Sequence, residues 1–235
     1  KTYFADVLAS YDSPHTANAA RTKNLELACK AIDGTILNPG DEFSFNKIVG
    51  ERTKEKGYLA AIVYTDGGKS ESQEGGGICQ VASTIYTCTL LADLEVTERA
   101  PHMYLVTYVE PGMDATIYWP SLDYKFKNST DMPLRVDASV SGGYVHIKLV
   151  GTKQEHDYDH IKLRGVYASS TAWKTVAEIN GKKTEITIAK GAGVDANGKA
   201  IDLAVAWFCH RERIYRLHDQ RLSRLYRGRR QHNAL

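Results

Sequence analysis

Cys79 opens an apolar segment two residues after three consecutive glycines, in the run Gly75-Gly76-Gly77-Ile78-Cys79-Gln80-Val81-Ala82-Ser83-Thr84-Ile85-Tyr86. Glycine has no Cβ, so positive φ is open to it and a substrate backbone can come close. Val81, Thr84, Ile85, Cys88 and Leu91-Ala92 then recur at three- and four-residue spacing, the pattern of a helix with one buried face. Cys79 falls in the first turn of that helix, among amide N–H groups that have no intrahelical partner. The positive end of the helix dipole favours the thiolate, which is the nucleophilic form of cysteine. The expectation is a reactive Cys79. Packing alone is the ordinary fate of a cysteine, and Cys29 and Cys88, each on the apolar stripe of a predicted helix, fit that description better.

A cysteine nucleophile needs a proton acceptor, a group that orients it, and donors for an oxyanion. His102 is the best base: it stands 23 residues after Cys79, at the entry of the first strand predicted beyond the helix. For the carboxylate that fixes the imidazole tautomer, Asp114 and Asp123 are the candidates. Asp114 is preferred, because it follows a tight turn that can fold back beside His102. The amides of Cys79, Gly76 and Gly77 are the expected oxyanion donors, and Gln80 and Tyr58 complete the substrate-binding set. Ser83, one turn past Cys79, either faces the same cleft or bonds to its own helix backbone. Arg52 suits a substrate carboxylate held in bidentate fashion, or is a solvated loop charge. No metal or cofactor is expected. The cysteines at 29, 79, 88 and 209 match no zinc pattern and no disulfide-dense scaffold. His156 and His160 give only a weak metal signal, and His146 alternates within a strand.

These side chains must be positioned by a small set of elements. Residues 17–33 read as a helix with Leu25, Ala28, Cys29 and Ile32 on one face, ended by Asp33-Gly34. Asn38-Pro39-Gly40-Asp41 is a turn, followed by an extended Glu42–Asn46 and a polar loop at 50–58. A strand at Ala60–Thr65 and the turn Asp66-Gly67-Gly68 lead to the cysteine loop. Beyond the cysteine helix the texture becomes β: Met103–Val109, Ala115–Trp119, Tyr124–Lys127, Leu134–Val140 and Tyr144–Val150 read as strands, with Ser141-Gly142-Gly143 as a hairpin turn. Helices first and strands after predict an α+β fold, with the cysteine helix packed on an antiparallel sheet. The expected organisation is a domain over 1–154, then a linker and small β extension over 155–200 with a hairpin at Asn180-Gly181.

The formal charge of +2 is unevenly spread. Residues 201–235 hold eight arginines, no lysine and three acids, whereas residues 1–200 hold 22 basic residues against 25 acids. The body is therefore no general nucleic-acid binder. The arginine-rich segment reads either as an interaction tail, partly helical around Ile214, Leu217, Arg221, Leu222 and Leu225, or as foreign to the fold; the second is favoured. No run of about 18 apolar residues occurs, so no spanning helix is expected. A start at Lys1-Thr2-Tyr3 reads as a piece of a longer precursor.

Several segments, taken in order, resemble the VanW-like family: Asn38-Pro39-Gly40-Asp41-Glu42-Phe43-Ser44-Phe45-Asn46, Gly50-x-Arg52-Thr53, Gly57-Tyr58, Gly75-Gly76-Gly77-Ile78-Cys79-Gln80-Val81, Glu98-Arg99-x-x-His102 and Gly112-x-Asp114-Ala115-Thr116. The resemblance covers about residues 3–152, with Ala82 where the family usually carries serine or threonine. It implies an exported bacterial protein at the cell-wall face of the membrane, held there by an anchor that this chain lacks. It also implies an L,D-transpeptidase that uses Cys79 on peptidoglycan stem peptides, with His102 relaying protons and a 3→3 cross-link as product. Two alternatives stand beside it: a cysteine peptidase or carboxypeptidase on wall peptides, and a non-catalytic wall-binding module.

Overall fold

The computed structural model describes residues 3–64, 70–102, 106–110, 112–153, 161–169, 172–179, 182–186, 189–194, 200–205, 207–210 and 213–216. In chain order the elements are β1 (Asp6–Pro14), α1 (Ala19–Ile32), β2 (Ile36–Leu37), β3 (Glu42–Ser44), α2 (Phe45–Val49), β4 (Ala60–Tyr64), β5 (Ser70–Glu74), α3 (Cys79–Leu91), β6 (Glu95–Glu98), β7 (Lys125–Lys127), β8 (Leu134–Ser141) and β9 (Tyr144–Gly151). The strands β10 (Ile161–Ser169), β11 (Ala172–Ile179), β12 (Lys182–Ile186), β13 (Ala189–Val194), β14 (Ala200–Val205), β15 (Trp207–His210) and β16 (Arg213–Arg216) follow. The fold is α+β, and the described strand pairs are antiparallel.

The central sheet has the order β1-β9-β8-β2. β8 and β9 form a hairpin closed at Ser141 and Tyr144, with Gly142 at φ +57° and Gly143 at φ +82°, the two left-handed residues of a type I′ turn. Leu134, Val136, Val145, Ile147 and Leu149 alternate inward from this hairpin and are fully buried. α3 packs on β1 and β9, and α1 on β8. α1 is capped by the Asn18 side chain and buries Asn24, Leu25, Ala28, Cys29 and Ile32, a single 3.6-period stripe. A second sheet, β3-β7-β6, stacks Phe43 on Phe126 at 4.8 Å in the core.

Four expectations change. β1 was not anticipated, because its inward positions are Ala9 and Ser13 rather than large apolar residues; α3 lies close against them, and Ser13 Oγ meets Thr84 Oγ1 at 2.7 Å. Phe45 and Asn46 are helical, not extended, since Ser44 accepts the Lys47 amide and Asp123 accepts that of Asn46. Ala115–Trp119 forms only isolated bridges at Thr116 and Tyr118: the Ala115 amide goes to Ser83 and the Ile117 carbonyl to Cys79, so this backbone serves α3 rather than a neighbouring strand. Val106–Val109 is not a strand; residues 107–109 are bends, and Met103–Leu105 lie outside the described residues.

Toward the end of the chain, Ile214 sits in β16 rather than in a helix, while Leu217, Arg221, Leu222 and Leu225 lie outside the described residues. So do Thr65, Asp66-Gly67-Gly68, Asn180-Gly181, His156 and His160. β11 and β12 nonetheless pair at Ile179 and Lys182, in the register a hairpin requires.

Candidate active site

Cys79 is the first residue of α3, as its sequence setting predicts. Among the described residues its amide and that of Gly77 donate to no backbone carbonyl. The Gly76 amide, expected as a third oxyanion donor, is taken by the Gln73 carbonyl at 3.1 Å, and Gln80 N–H goes back to the Gly77 carbonyl at 3.0 Å. The glycine loop is held from two sides. Asn24, buried in α1, donates to the Leu59 and Gly76 carbonyls at 2.8 and 3.0 Å and accepts the Leu59 amide at 2.8 Å. A Cβ on Gly76 would overlap the Ala61 carbonyl oxygen, and one on Gly77, at φ +98°, would stand 2.8 Å from Arg21 Cγ. The absent side chains therefore admit protein, not ligand. They let the loop pass close to β4 and α1, and so aim the start of α3.

Cys79 is partly buried, its sulfur 3.5 Å from the Ile117 carbonyl oxygen and within the electrostatic influence of His102. His102 lies in a loop two residues beyond the Ala100 bridge, not in a strand. One oxygen of Asp114 accepts both the His102 amide and ring Nδ1, each at 2.7 Å. The other accepts Arg99 Nη2 at 2.9 Å, while Arg99 Nε donates to the Asp114 carbonyl at 2.7 Å. A carboxylate only accepts, so Nδ1 carries the proton and Nε2 is the nitrogen left for the sulfur.

Electrostatics follow from this clasp. Burial would raise the Asp114 pKa, but Arg99 and His102 outweigh it and hold the group at about 2. Burial would lower His102, but the hydrogen bonds to Asp114 and Cys79 and their charges push it up to about 9. Burial would raise the Cys79 thiol, yet the His102 hydrogen bond and charge, the Ile117 contact and the Arg52 charge bring it below its ordinary 9.0. Cys29, buried and facing the Asp33 charge, is pushed the other way, to about 12. The site favours a thiolate–imidazolium pair.

The other candidates divide. Ser83 Oγ donates to the Cys79 carbonyl at 2.8 Å and accepts the Ala115 amide at 2.9 Å, so it ties α3 to the segment carrying Asp114. Gln80 is fully buried: its amide donates to Ser13 and to the Pro14 carbonyl and its oxygen accepts Arg21 Nη2 at 2.8 Å. It is a clip between β1 and α1, with nothing left for a substrate. Tyr58 is buried near Arg52. Arg52 donates to Asn46 Oδ1 at 2.7 Å, with its Nε and Nη1 sealed from solvent and without a partner among the described residues. Those two nitrogens are closed to solvent, and the Arg52 charge helps to lower the Cys79 thiol. Asp123 accepts Ser44 Oγ at 2.6 Å and the Asn46 amide, and so braces α2 rather than His102. Among the described residues, no group of His, Cys, Asp and Glu is arranged to hold a metal.

The profile of the family described as VanW like protein matches residues 20–150, which contain this whole constellation. The chain belongs to the VanW-like family. It is 41% identical over 135 residues to the uncharacterized protein YoaR of Bacillus subtilis strain 168, covering 57% of this chain and 44% of that protein. It is 31% identical over 119 residues to the Vancomycin B-type resistance protein VanW of Enterococcus faecalis strain ATCC 700802 / V583, covering 48% of this chain and 42% of that one. The chain thus spans less than half the length of either relative. No solved structure matches it. Among the described residues, no helix is long and apolar enough to cross a membrane.

Two residues of this VanW-like site escaped sequence reasoning. Arg99 was quoted in a motif, Glu98-Arg99-x-x-His102, without a role; its signal was an arginine three residues before a candidate base. Tyr108 lay in an apparent strand, and nothing in the sequence marks its ring as turned toward His102.

Proposed function

We propose that this chain is a peptidoglycan L,D-transpeptidase that works through a Cys79 thioester. The observation that carries the reading is a partly buried cysteine at a helix start, beside an imidazole whose far nitrogen is clasped by a buried Asp114–Arg99 pair. That is the apparatus of acyl transfer. The substrate class comes from the family, which is linked to vancomycin resistance and the cell wall through the Vancomycin B-type resistance protein VanW.

The thiolate adds to the carbonyl between the third stem residue and the terminal D-Ala, forming a C–S bond and an oxyanion. Collapse breaks the C–N bond, and the His102 imidazolium gives its Nε2 proton to the departing D-Ala amine. The side-chain amine of a second stem then attacks the thioester. His102 takes a proton from that amine, the C–S bond breaks, and the thiolate returns with a 3→3 peptide bond formed. Asp114 keeps Nε2 facing the sulfur throughout. The reaction belongs at the extracytoplasmic face of the membrane, where its substrate is found.

Incubation with purified disaccharide-tetrapeptide, followed by mass spectrometry, tests this. The expected products are cross-linked dimers and free D-Ala, both absent with Cys79→Ala. Tripeptide without dimers would make the protein a hydrolase of the same site. Unchanged tetrapeptide would refute acyl transfer on this substrate.

A further inference from the structure

Tyr108 is a polar group on the reacting side of His102. Its hydroxyl lies 3.5 Å from His102 Nε2, the nitrogen not taken by Asp114 and therefore the one that meets Cys79. The rings stand edge to face, with centroids 6.4 Å apart and planes at 81°. Arg21 spans the other side of the ring, its guanidinium carbon 6.0 Å from the centroid, and is itself fixed to Gln80 Oε1. Position and orientation are thus set by two neighbours that are both anchored in the fold.

We propose that Tyr108 is a catalytic residue whose hydroxyl donates a hydrogen bond to the oxyanion formed when Cys79 adds to a carbonyl. This rests on the acyl-transfer reading of Cys79 given above. At rest the negative charge lies on sulfur; on addition it moves to an oxygen one carbon away. A donor that stands beside Nε2, with the Cys79 charge acting on it, is placed to meet that oxygen, together with the Cys79 amide at the start of α3. A phenol can serve only while it keeps its proton. Burial, with the Cys79 charge beside it, pushes its pKa well above 10.0, so Tyr108 is a donor and not a base at any working pH. Ser83 Oγ, alongside it and already bonded to the Cys79 carbonyl and the Ala115 amide, is its neighbour at rest.

The test is Tyr108→Phe, which removes one oxygen and keeps the ring. Two reactions of Cys79 are compared in the intact chain: alkylation by iodoacetamide, which makes no oxyanion, and acylation by p-nitrophenyl acetate, which does. The expected result is an alkylation pH profile within about twofold of wild type and acylation slowed on the order of 10²–10³-fold. The melting temperature is expected to be unchanged, since the ring still fills its place. Acylation within about threefold of wild type would overturn the proposal. So would a parallel fall in both rates, because Tyr108 would then act on the thiolate or the fold. The ester separates this from the substrate reading. If wild type takes acetyl from it but leaves stem peptides untouched, the peptidoglycan assignment fails and the role of Tyr108 stands. If wild type is not acetylated at Cys79, both fail.

Discussion

His102→Gln isolates the interaction that makes Cys79 reactive. In the wild type, burial raises the thiol pKa and the His102 hydrogen bond and charge reverse that rise, to leave it below 9.0. Glutamine can still accept or donate near Asp114 but carries no charge, and Asp114 keeps both bonds from Arg99. Cys29 shows the opposite outcome, where burial and the Asp33 charge together push the thiol to about 12. Removing the His102 charge lets burial carry the Cys79 thiol above its wild-type value, and each unit of rise costs about tenfold in thiolate at pH 7. A more basic thiolate is a better nucleophile and recovers about half of that loss on a logarithmic scale, so alkylation at pH 7 should slow roughly threefold for each unit of rise. The assay is iodoacetamide labelling of Cys79, followed by peptide mass spectrometry from pH 5 to pH 10, roughly the range over which a thiol of ordinary or lowered pKa titrates. Circular dichroism establishes that the variant is folded. A folded His102→Gln with the wild-type rate and pH profile would refute the ion-pair argument, however short the contacts around His102.

Three further outcomes follow from the same geometry. Turnover should fall as pH rises through about 9, where His102 loses the proton that the leaving amine needs, while alkylation, which needs only thiolate, should not; a turnover limb near 6.5 instead would contradict the raised imidazole. The Asp114 carboxyl should titrate near 2 by ¹³C NMR, and because its folded value lies below the ordinary 3.8, the stability it gives, about 2 kcal/mol, is present above about pH 4 and lost as pH falls toward 2; a titration at 3.8 would remove the Arg99–His102 clasp. Gly76→Ala should cost about 2 kcal/mol or more in urea unfolding, because the new methyl meets the Ala61 backbone, which cannot step aside; a loss under about 0.5 kcal/mol would show that the loop is free to relax.

The cysteine and its two partners were legible because each carried a local physical signature. The apolar spacing from Val81 onward placed Cys79 in the first turn, although α3 proves buried at every position from Gln80 to Leu90 rather than on one face. The turn before Asp114 returned that residue beside His102. What misled was the equation of a polar side chain near Cys79 with a site residue. Gln80 and Ser83 are polar because they join α3 to β1, α1 and the Asp114 segment inside the core, where every donor needs an acceptor. The glycine triplet misled in a related way. Its missing side chains suggested clearance for a substrate, but the space is taken by Ala61 and Arg21, neither of which is near it in sequence. Tyr108 and Arg99 were out of reach for the opposite reason: one is carried on bends within an apparently β-like segment, and the role of the other depends on a carboxylate 15 residues away. β1 hid because Ala9 and Ser13 gave no apolar alternation to read.

The claim beneath all of this is that the Cys79 sulfur is held as an anion while the buried Cys29 and Cys88 thiols are not. Labelling of the native wild-type protein with iodoacetamide as a function of pH, resolved peptide by peptide, measures it directly. The account predicts that Cys79 labels with an apparent pKa clearly below 9.0, while Cys29 and Cys88, both pushed upward by burial, stay unlabelled until the protein unfolds. Labelling of Cys79 with an apparent pKa at or above 9.0, or no faster than the two buried thiols, would contradict it.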